Sequence, residues 1–283
     1  MVNVICGKTL ALKRRELLAN KVSDFKQLSG RSPCLSVILV GEYPPSLVYV
    51  GAKQKACNDV GIASKLIKLP VQSFEQDLFN IIDDLNSDTG VDGILLQLPL
   101  PGSIDPFSYL SKISPLKDVD GLSPYNLGRL LAMRPIHIPC TPQGVMEILS
   151  DMAVNIESKK VVILGRSILV GRSLALLMEQ ANATVTVVHS KTQDPELICK
   201  QADILVSAIG KPGYITDKFV KPGAIVIDVG ITNVHGSLKG DVDFDSVEKV
   251  ASHLTPVPGG VGPMTVSKLL ENTINAAYFL HSS

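Results

Sequence analysis

Short apolar runs alternate with helix-patterned stretches along most of this chain. Leu10 to Leu28 is charged and helix-permissive. After the break SGRSP comes CLSVILVG, closed by Gly41, whose length and content are those of a buried strand. Ser46 to Val60 reads as a helix, SKLIKLP as a second strand, and FEQDLFNIIDDLNSD spaces its apolar residues at helical intervals. VDGILLQLPLP closes the series as a third strand, with Gln97 at its carboxyl end. Strands that alternate with helices of about 10 to 15 residues predict βαβ units and a parallel sheet, with functional groups gathered at the carboxyl ends of the strands.

KDVDGLSPYNLGRL, from Lys117 to Leu130, is rich in turn formers and reads as a bridge between two lobes; CTPQGVMEILSDM reads as a capped linking helix. A second α/β series follows. KKVVILG, ATVTVVHS, ADILVSAIG and GAIVIDVG are short β-branched runs, each ending in glycine or a small polar residue. A closing helix around Thr265 to Leu280 is expected to pack back on the first lobe. The fold class is therefore α/β with two lobes. The expected boundaries are 1–138 together with the helix 265–283 for the first, and 139–264 for a Rossmann-like second.

Composition narrows the choice of function. Acidic and basic residues balance at 27 each, which argues against a nucleic-acid binder working through a global field. Any anionic ligand must be held by local groups. The five cysteines are scattered, with no Cys-x-x-Cys and no His partners at zinc spacing, so they read as reduced thiols of a cytoplasmic protein without a metal site. No segment approaches the roughly 18 uncharged apolar residues of a membrane span.

After KKVVILG comes GRSILVG, Gly165 to Gly171, and then the helical SLALLMEQAN. Glycines at a strand-to-helix turn let the backbone approach a pyrophosphate and aim amides and the helix dipole at it. This is not the Gly-x-Gly-x-x-Gly fingerprint, and two glycines also serve simply to make a bend. The next strand ends at His189 and Ser190, where an NAD enzyme places an acidic residue on the ribose 2′-hydroxyl. Here HSKT carries no carboxylate, and Arg166 and Ser167 stand at the glycine turn. A 2′-phosphate would meet donors and positive charge, which favours NADP over NAD. Lys191 taken singly reads as a solvated loop charge.

SLVYVGAK places Tyr49 and Lys53 four positions apart, on one helix face if the segment is helical. Tyr-x-x-x-Lys is also the pair of the short-chain dehydrogenases, but there it follows the glycine turn within one Rossmann domain. In this chain Tyr49 precedes Gly165 by more than a hundred residues, so that reading fails on order. What remains is a coincidental pair on a solvated face, or a lysine whose pKa is lowered by burial so that it shuttles protons, with Gln97 and Asp120 as companions.

Taken together, VGEYPPSLVYVGAKQKAC, DGILLQLPLP, KDVDG, PCTPQG, GRSILVG, HSKT, KPGAIVIDVG and PVPGGVGPMT resemble the bifunctional methylenetetrahydrofolate dehydrogenase/methenyltetrahydrofolate cyclohydrolase family over essentially the whole chain. The resemblance implies an active site in the interdomain cleft of a cytoplasmic homodimer that serves one-carbon metabolism and purine biosynthesis. It implies NADP-dependent oxidation of 5,10-methylenetetrahydrofolate, then hydrolysis of the methenyl product to 10-formyltetrahydrofolate. Lys53 matches the lysine that moves protons, Tyr49 the ring that packs on the folate, Gln97 the amide that tunes the lysine, and Asp120 the carboxylate that anchors the pterin. Ser46, Leu98, Pro99, Pro258, Gly259 and Gly260 carry over to the substrate site. Gly165, Arg166, Ser167, Gly171, His189, Ser190, Ile231 and Thr265 carry over to the cofactor site, with Gly259 to Gly262 in a ligand-contacting loop. An enzyme that keeps only one of the two activities, or a regulatory protein that binds NADP without turnover, are the competing readings.

Two positions depart from the family pattern. Ser173 stands where proline is usual, early in the helix after the glycine turn, and is expected to serve as a cap residue with little effect on cofactor affinity. Pro45 stands where alanine is commoner and leaves Ser46, Tyr49 and Lys53 in register.

Overall fold

One strand, whose side chains alternate between two cores, organises the first unit. The computed structural model describes residues 2–72, 74–102 and 104–282, and its chain divides into two compact units, Leu12–Cys140 with Val266–Ser283, and Met1–Ala11 with Thr141–Thr265. Before the division lie β1 (Asn3–Val4) and α1 (Gly7–Ser29), the latter continuing past Ala11. In the first-named unit follow β2 (Cys34–Val40), α2 (Pro44–Val60), β3 (Ala63–Leu69), α3 (Phe74–Ser87), β4 (Gly93–Leu96), α4 (Phe107–Lys112) and α5 (Pro124–Leu131). The three strands form a parallel sheet in the order β3-β2-β4.

Every residue of the central strand β2 is buried, and its side chains alternate between two cores. Leu35, Val37 and Leu39 pack with Leu18 and Val22 of α1, Val50 and Cys57 of α2, and Leu270 and Ile274 of the closing helix. Cys34, Ile38 and Val40 pack with Leu78 and Ile82 of α3 and with Tyr109 and Leu110 of α4. A strand buried on both faces reads as a continuous apolar run, which is why CLSVILV was legible. An ion pair secures the start of β4, where both oxygens of the fully buried Asp92 accept from Arg31 at 2.7 Å while one also accepts from the Cys34 amide at 2.8 Å.

The second unit holds α6 (Cys140–Asp151, from its second residue), β5 (Lys160–Leu164), α7 (Gly171–Gln180), β6 (Thr184–Val188), α8 (Pro195–Cys199), β7 (Ile204–Ser207), β8 (Ile225–Asp228), β9 (Thr232–Val234), β10 (Ser237–Lys239), α9 (Phe244–Val247) and β11 (His253–Leu254). Its six-stranded sheet is parallel in the order β1-β11-β8-β7-β5-β6, and β9 and β10 form a separate antiparallel hairpin. The four expected strands are the middle and one edge of this sheet. The other edge is made by β1 and β11, two residues each, and for that reason Met1–Ala11 belongs with this unit instead of with the 1–138 segment read from the sequence.

The last helix, α10, runs from Val261 to His281. PVPGGVGPMT is therefore loop only as far as Gly260; Gly262, Pro263 and Thr265 form the first helical turns, where a proline without an amide hydrogen costs no hydrogen bond. From Val266 onward α10 packs into the core of the first unit, as expected. Among the described residues no helix is long and apolar enough to cross a membrane, no group of His, Cys, Asp and Glu could hold a metal, and all five thiols are free.

Candidate active site

Helix α2 starts at Pro44, and the prolines at its first two positions need no partner for the missing amide and already hold the helical φ. Pro45 is thus accommodated without cost to the register of the helix. The helix ends at Gly61, whose φ of 84° closes it in the left-handed region while its amide donates to the carbonyls of Asn58 and Cys57. Ser46, Tyr49 and Lys53 follow at spacings of three and four and share one face. Ser46 is buried, and Tyr49 is half-buried, with burial raising its phenol pKa.

Gln97 follows β4 at its carboxyl end, and its amide nitrogen donates to the Leu98 carbonyl at 2.7 Å. That bond turns Oε1 toward α2, where it accepts from Lys53 Nζ at 2.9 Å. Lys53 is partly buried, and desolvation lowers its pKa below the ordinary lysine value while the nearby Asp120 opposes the shift. Asp120 responds in the opposite sense. Burial raises its carboxyl, and the charge of Lys53 holds it back. Burial thus brings an ammonium and a carboxylate toward the range in which either exchanges a proton near neutrality, the condition for acid–base work.

Asp120 owes its place to its neighbours. Asp118 accepts from the Leu122 and Ser123 amides at 3.2 and 2.8 Å and from Asn126 Nδ2 at 2.8 Å, which ties the turn to the start of α5. Gly121 has φ 71°, and a Cβ there would lie 2.7 Å from the Ile138 carbonyl carbon and the Pro139 nitrogen. Two further residues escaped the sequence reading. Cys140, read only as a reduced thiol, is fully enclosed beside Asp120; burial and then that carboxylate push its pKa well up, and Sγ donates to the Val119 carbonyl at 3.3 Å. Asn272 of α10 donates to the carbonyls of Val119 at 2.9 Å and Ile138 at 3.1 Å.

In the other unit, the turn from Gly165 to Gly171 joins β5 to α7. Gly165 has φ 113°, its amide bonds Val188 O at 2.9 Å, and a Cβ would collide with the Ala208 carbonyl; a Cβ at Gly171 would collide with the carbonyl of Gly165. The turn is stitched internally. Ser167 Oγ accepts from the Val170 amide at 3.2 Å and its carbonyl from the Arg172 amide at 3.0 Å, while Arg172 Nε donates to Arg166 O at 3.1 Å. Ser173 does not cap the helix as expected; buried, it donates its hydroxyl to Ile168 O at 2.7 Å and so adds another tie across the same turn.

His189 and Ser190 follow β6. His189 Nδ1 accepts from the Lys191 amide at 3.2 Å, which in the neutral ring places the proton on Nε2. No carboxylate stands in HSKT, and the side chains of Arg166, Arg172 and Lys191 are exposed. The sheet order reverses between β5 and β7, the switch point at which open α/β sheets receive dinucleotides. A tight turn with glycine at both ends, the start of a ten-residue helix and cationic groups fit an NADP pyrophosphate and 2′-phosphate. Ile231 lies exposed just beyond β8. Thr265 lies inside α10, its hydroxyl 3.1 Å from that of Thr141. Pro258, Gly259 and Gly260 form the loop before α10, tied to the chain start by the Lys8 amide on Gly259 O at 3.0 Å.

Gly165→Ala is expected to weaken NADP binding at least tenfold, because an L residue resists this φ and its Cβ meets the Ala208 carbonyl. Calorimetric titration with NADP checks it.

Comparison with known proteins agrees in both units. Residues 5–120 match the family description Tetrahydrofolate dehydrogenase/cyclohydrolase, catalytic domain, and residues 139–280 match its NAD(P)-binding domain. The chain is 49% identical over 275 residues to the Bifunctional protein FolD of Thermodesulfovibrio yellowstonii, covering 97% of this chain and 96% of that one. It is 51% identical over 271 residues to the protein of the same name from Halalkalibacterium halodurans, covering 96% and 97%. Among solved structures, the bifunctional FolD methylenetetrahydrofolate dehydrogenase/cyclohydrolase of Campylobacter jejuni superposes with a TM-score of 0.95 at 43% identity, covering 99% of each chain. The Trypanosoma brucei N5,N10-methylenetetrahydrofolate dehydrogenase-cyclohydrolase, complexed with NADP and an inhibitor, gives a TM-score of 0.95 at 40% identity, covering 100% of this chain and 99% of that one.

Proposed function

The chain belongs to the tetrahydrofolate dehydrogenase/cyclohydrolase family, and from that premise we propose how its own residues carry out the two reactions. The protein is a bifunctional enzyme that oxidises 5,10-methylenetetrahydrofolate with NADP and hydrolyses the resulting 5,10-methenyltetrahydrofolate to 10-formyltetrahydrofolate. Bound NADP supplies the hydride acceptor for the first reaction. For that reaction the chain has to bind and orient, since the folate nitrogens themselves stabilise the cation formed.

Hydrolysis demands more of the side chains. Water forms a bond to the methenyl carbon and loses a proton, giving a neutral carbinolamine; the bond from that carbon to N5 then breaks as the hydroxyl gives up its proton to become the formyl carbonyl, N5 gains one proton, and one proton is released overall. Lys53 takes the proton from water and returns one to N5. Gln97 holds the amine by its Oε1, and Asp120 anchors the pterin through its amino edge while keeping the Lys53 pKa from falling further. Tyr49 stacks on the folate, with Ser46, Leu98 and Pro99 around it and Pro258, Gly259 and Gly260 as further substrate contacts. On the cofactor side Gly165, Arg166, Ser167 and Gly171 take the pyrophosphate and 2′-phosphate with His189 and Ser190, and Ile231 and Thr265 complete the contacts. The observation that carries this reading is the 2.9 Å bond between the desolvated Lys53 ammonium and Gln97 beside Asp120. We further place the enzyme as a cytoplasmic homodimer supplying one-carbon units to purine biosynthesis.

The test is a spectroscopic assay with methylenetetrahydrofolate and either NADP or NAD, following reduced cofactor and methenyl absorbance separately. Reduced cofactor without accumulated methenyl product, with NADP preferred, is the expected result. Accumulating methenyl product would leave only the dehydrogenase, and NADP binding without turnover would sink the catalytic reading.

A further inference from the structure

The mechanism above makes no use of two carboxylates buried together at the carboxyl ends of the nucleotide-binding sheet's strands. Asp228 ends β8 and Asp241 follows β10; they are 3% and 0% exposed. Asp228 Oδ1 accepts from the amides of Gly230 and Asp241, both at 3.0 Å, and Oδ2 from that of Val242 at 2.9 Å. Asp241 Oδ2 accepts from Ser207 Oγ at 2.9 Å and from the Ile209 amide at 2.8 Å, and Oδ1 from the Lys211 amide at 2.7 Å. A Cβ at Gly230 would strike the Asp241 carboxylate, and one at Gly240 the Asp228 carboxylate. Burial, with the neighbouring Asp241 charge adding to it, carries Asp228 up to about 7 against the pull of its three amide donors. Two acids held this way need a reason, since paired carboxylates in a protein interior repel each other.

The loops they hold supply one. Ile209–Lys211 follows β7 and faces the turn after β5, since Ala208 O is the atom that a Cβ on Gly165 would hit. These two loops are the walls of the crevice at the switch point between β5 and β7. One wall is fixed by its own stitching, but the other is fixed from below by Asp241, which takes the Ile209 and Lys211 amides and sets the path of Gly210 between them, at φ 66°. We propose that Asp241, itself anchored by Asp228, is a positioning residue for the cofactor: it shapes the β7 wall of the dinucleotide crevice without touching the dinucleotide. This rests on the assignment of NADP to that crevice.

Asp241→Asn tests it, because the amide keeps the shape but turns an NH₂ toward a donor that the carboxylate had accepted. NADP affinity is measured by calorimetric titration, and hydrolysis of methenyltetrahydrofolate is assayed without cofactor as an internal control, since that reaction consumes no nicotinamide. The expected result is a Kd for NADP raised at least tenfold, with a matching rise in the dehydrogenase KM for NADP and unchanged hydrolysis. Ser207→Ala, which removes one of the three donors, should move the same constants in the same direction by about two- to fivefold. An unchanged NADP Kd in a variant that still hydrolyses methenyltetrahydrofolate would overturn the proposal. So would a fall of both activities in parallel, which marks a general folding role. Wild-type protein that binds no NADP would instead overturn the assignment of the crevice, and this inference with it.

Discussion

Lys53→Met is expected to slow hydrolysis of methenyltetrahydrofolate by about 10²- to 10⁴-fold, the span that a positioned acid–base group contributes, while folate affinity stays within a few-fold of the parent. Methionine keeps an unbranched stem of similar length in the same channel and removes the amine that titrates. The oxidation step depends on positioning, so its loss should be much smaller, and methenyl product should accumulate where the parent enzyme shows none. Stability should move the other way. The folded-state pKa of Lys53 lies below its unfolded value, so between the two the unfolded chain binds more protons and folding stability rises with pH; below both, the charged ammonium is buried at full cost. Removing it should raise Tm at neutral pH and flatten that pH dependence. Single-turnover hydrolysis and thermal melts at several pH values read both effects, and parent-level hydrolysis in the variant would refute the proton-shuttle role.

Asp120→Ala should depress both activities together, because it removes the group assigned to the pterin as well as the charge beside Lys53. Loss of one partner from a buried, hydrogen-bonded polar contact costs about 2 kcal/mol or more, so folate Kd should rise by at least about 30-fold. A second signature separates the two roles. Asp120 raises the Lys53 pKa, so its removal should let that pKa fall further and shift the acid limb of the hydrolysis pH profile to lower pH at saturating folate. If Asp120→Ala weakened binding without moving that limb, the carboxylate would be an anchor only.

The local parts of the site were legible because local chemistry makes them. Tyr49 and Lys53 share a helix face by spacing, Gln97 marks a strand end, and the glycines around Arg166 sit at a strand-to-helix turn. Pattern also located β2, β5, β7 and β8, since a strand in a covered parallel sheet must be apolar nearly throughout, and β6 by its β-branched TVTVV. Three readings were corrected by the structure. The chain start looked like part of the first lobe, yet two residues of β1 pair with two of β11 about 250 positions away, and a two-residue strand has no periodicity to detect. Ser173 looked like a cap and is a tie to Ile168. Gly259 to Gly262 were read as loop, yet α10 begins at Val261, because glycine and proline at the first turn of a helix do not oppose it.

By itself, then, the sequence determined the longer strands and helices, the division into two α/β units, and the family with its chemistry, because periodicity and motif spacing are properties of neighbouring residues. Tertiary structure alone decided which polar groups meet. The Lys53–Gln97 bond spans 44 positions, the Asn272 bond to Val119 spans 153, and the Ser207–Asp241 bond spans 34. Such pairings are selected by packing and by the need of each buried polar group for a partner, and that need becomes visible only when the chain has closed around them.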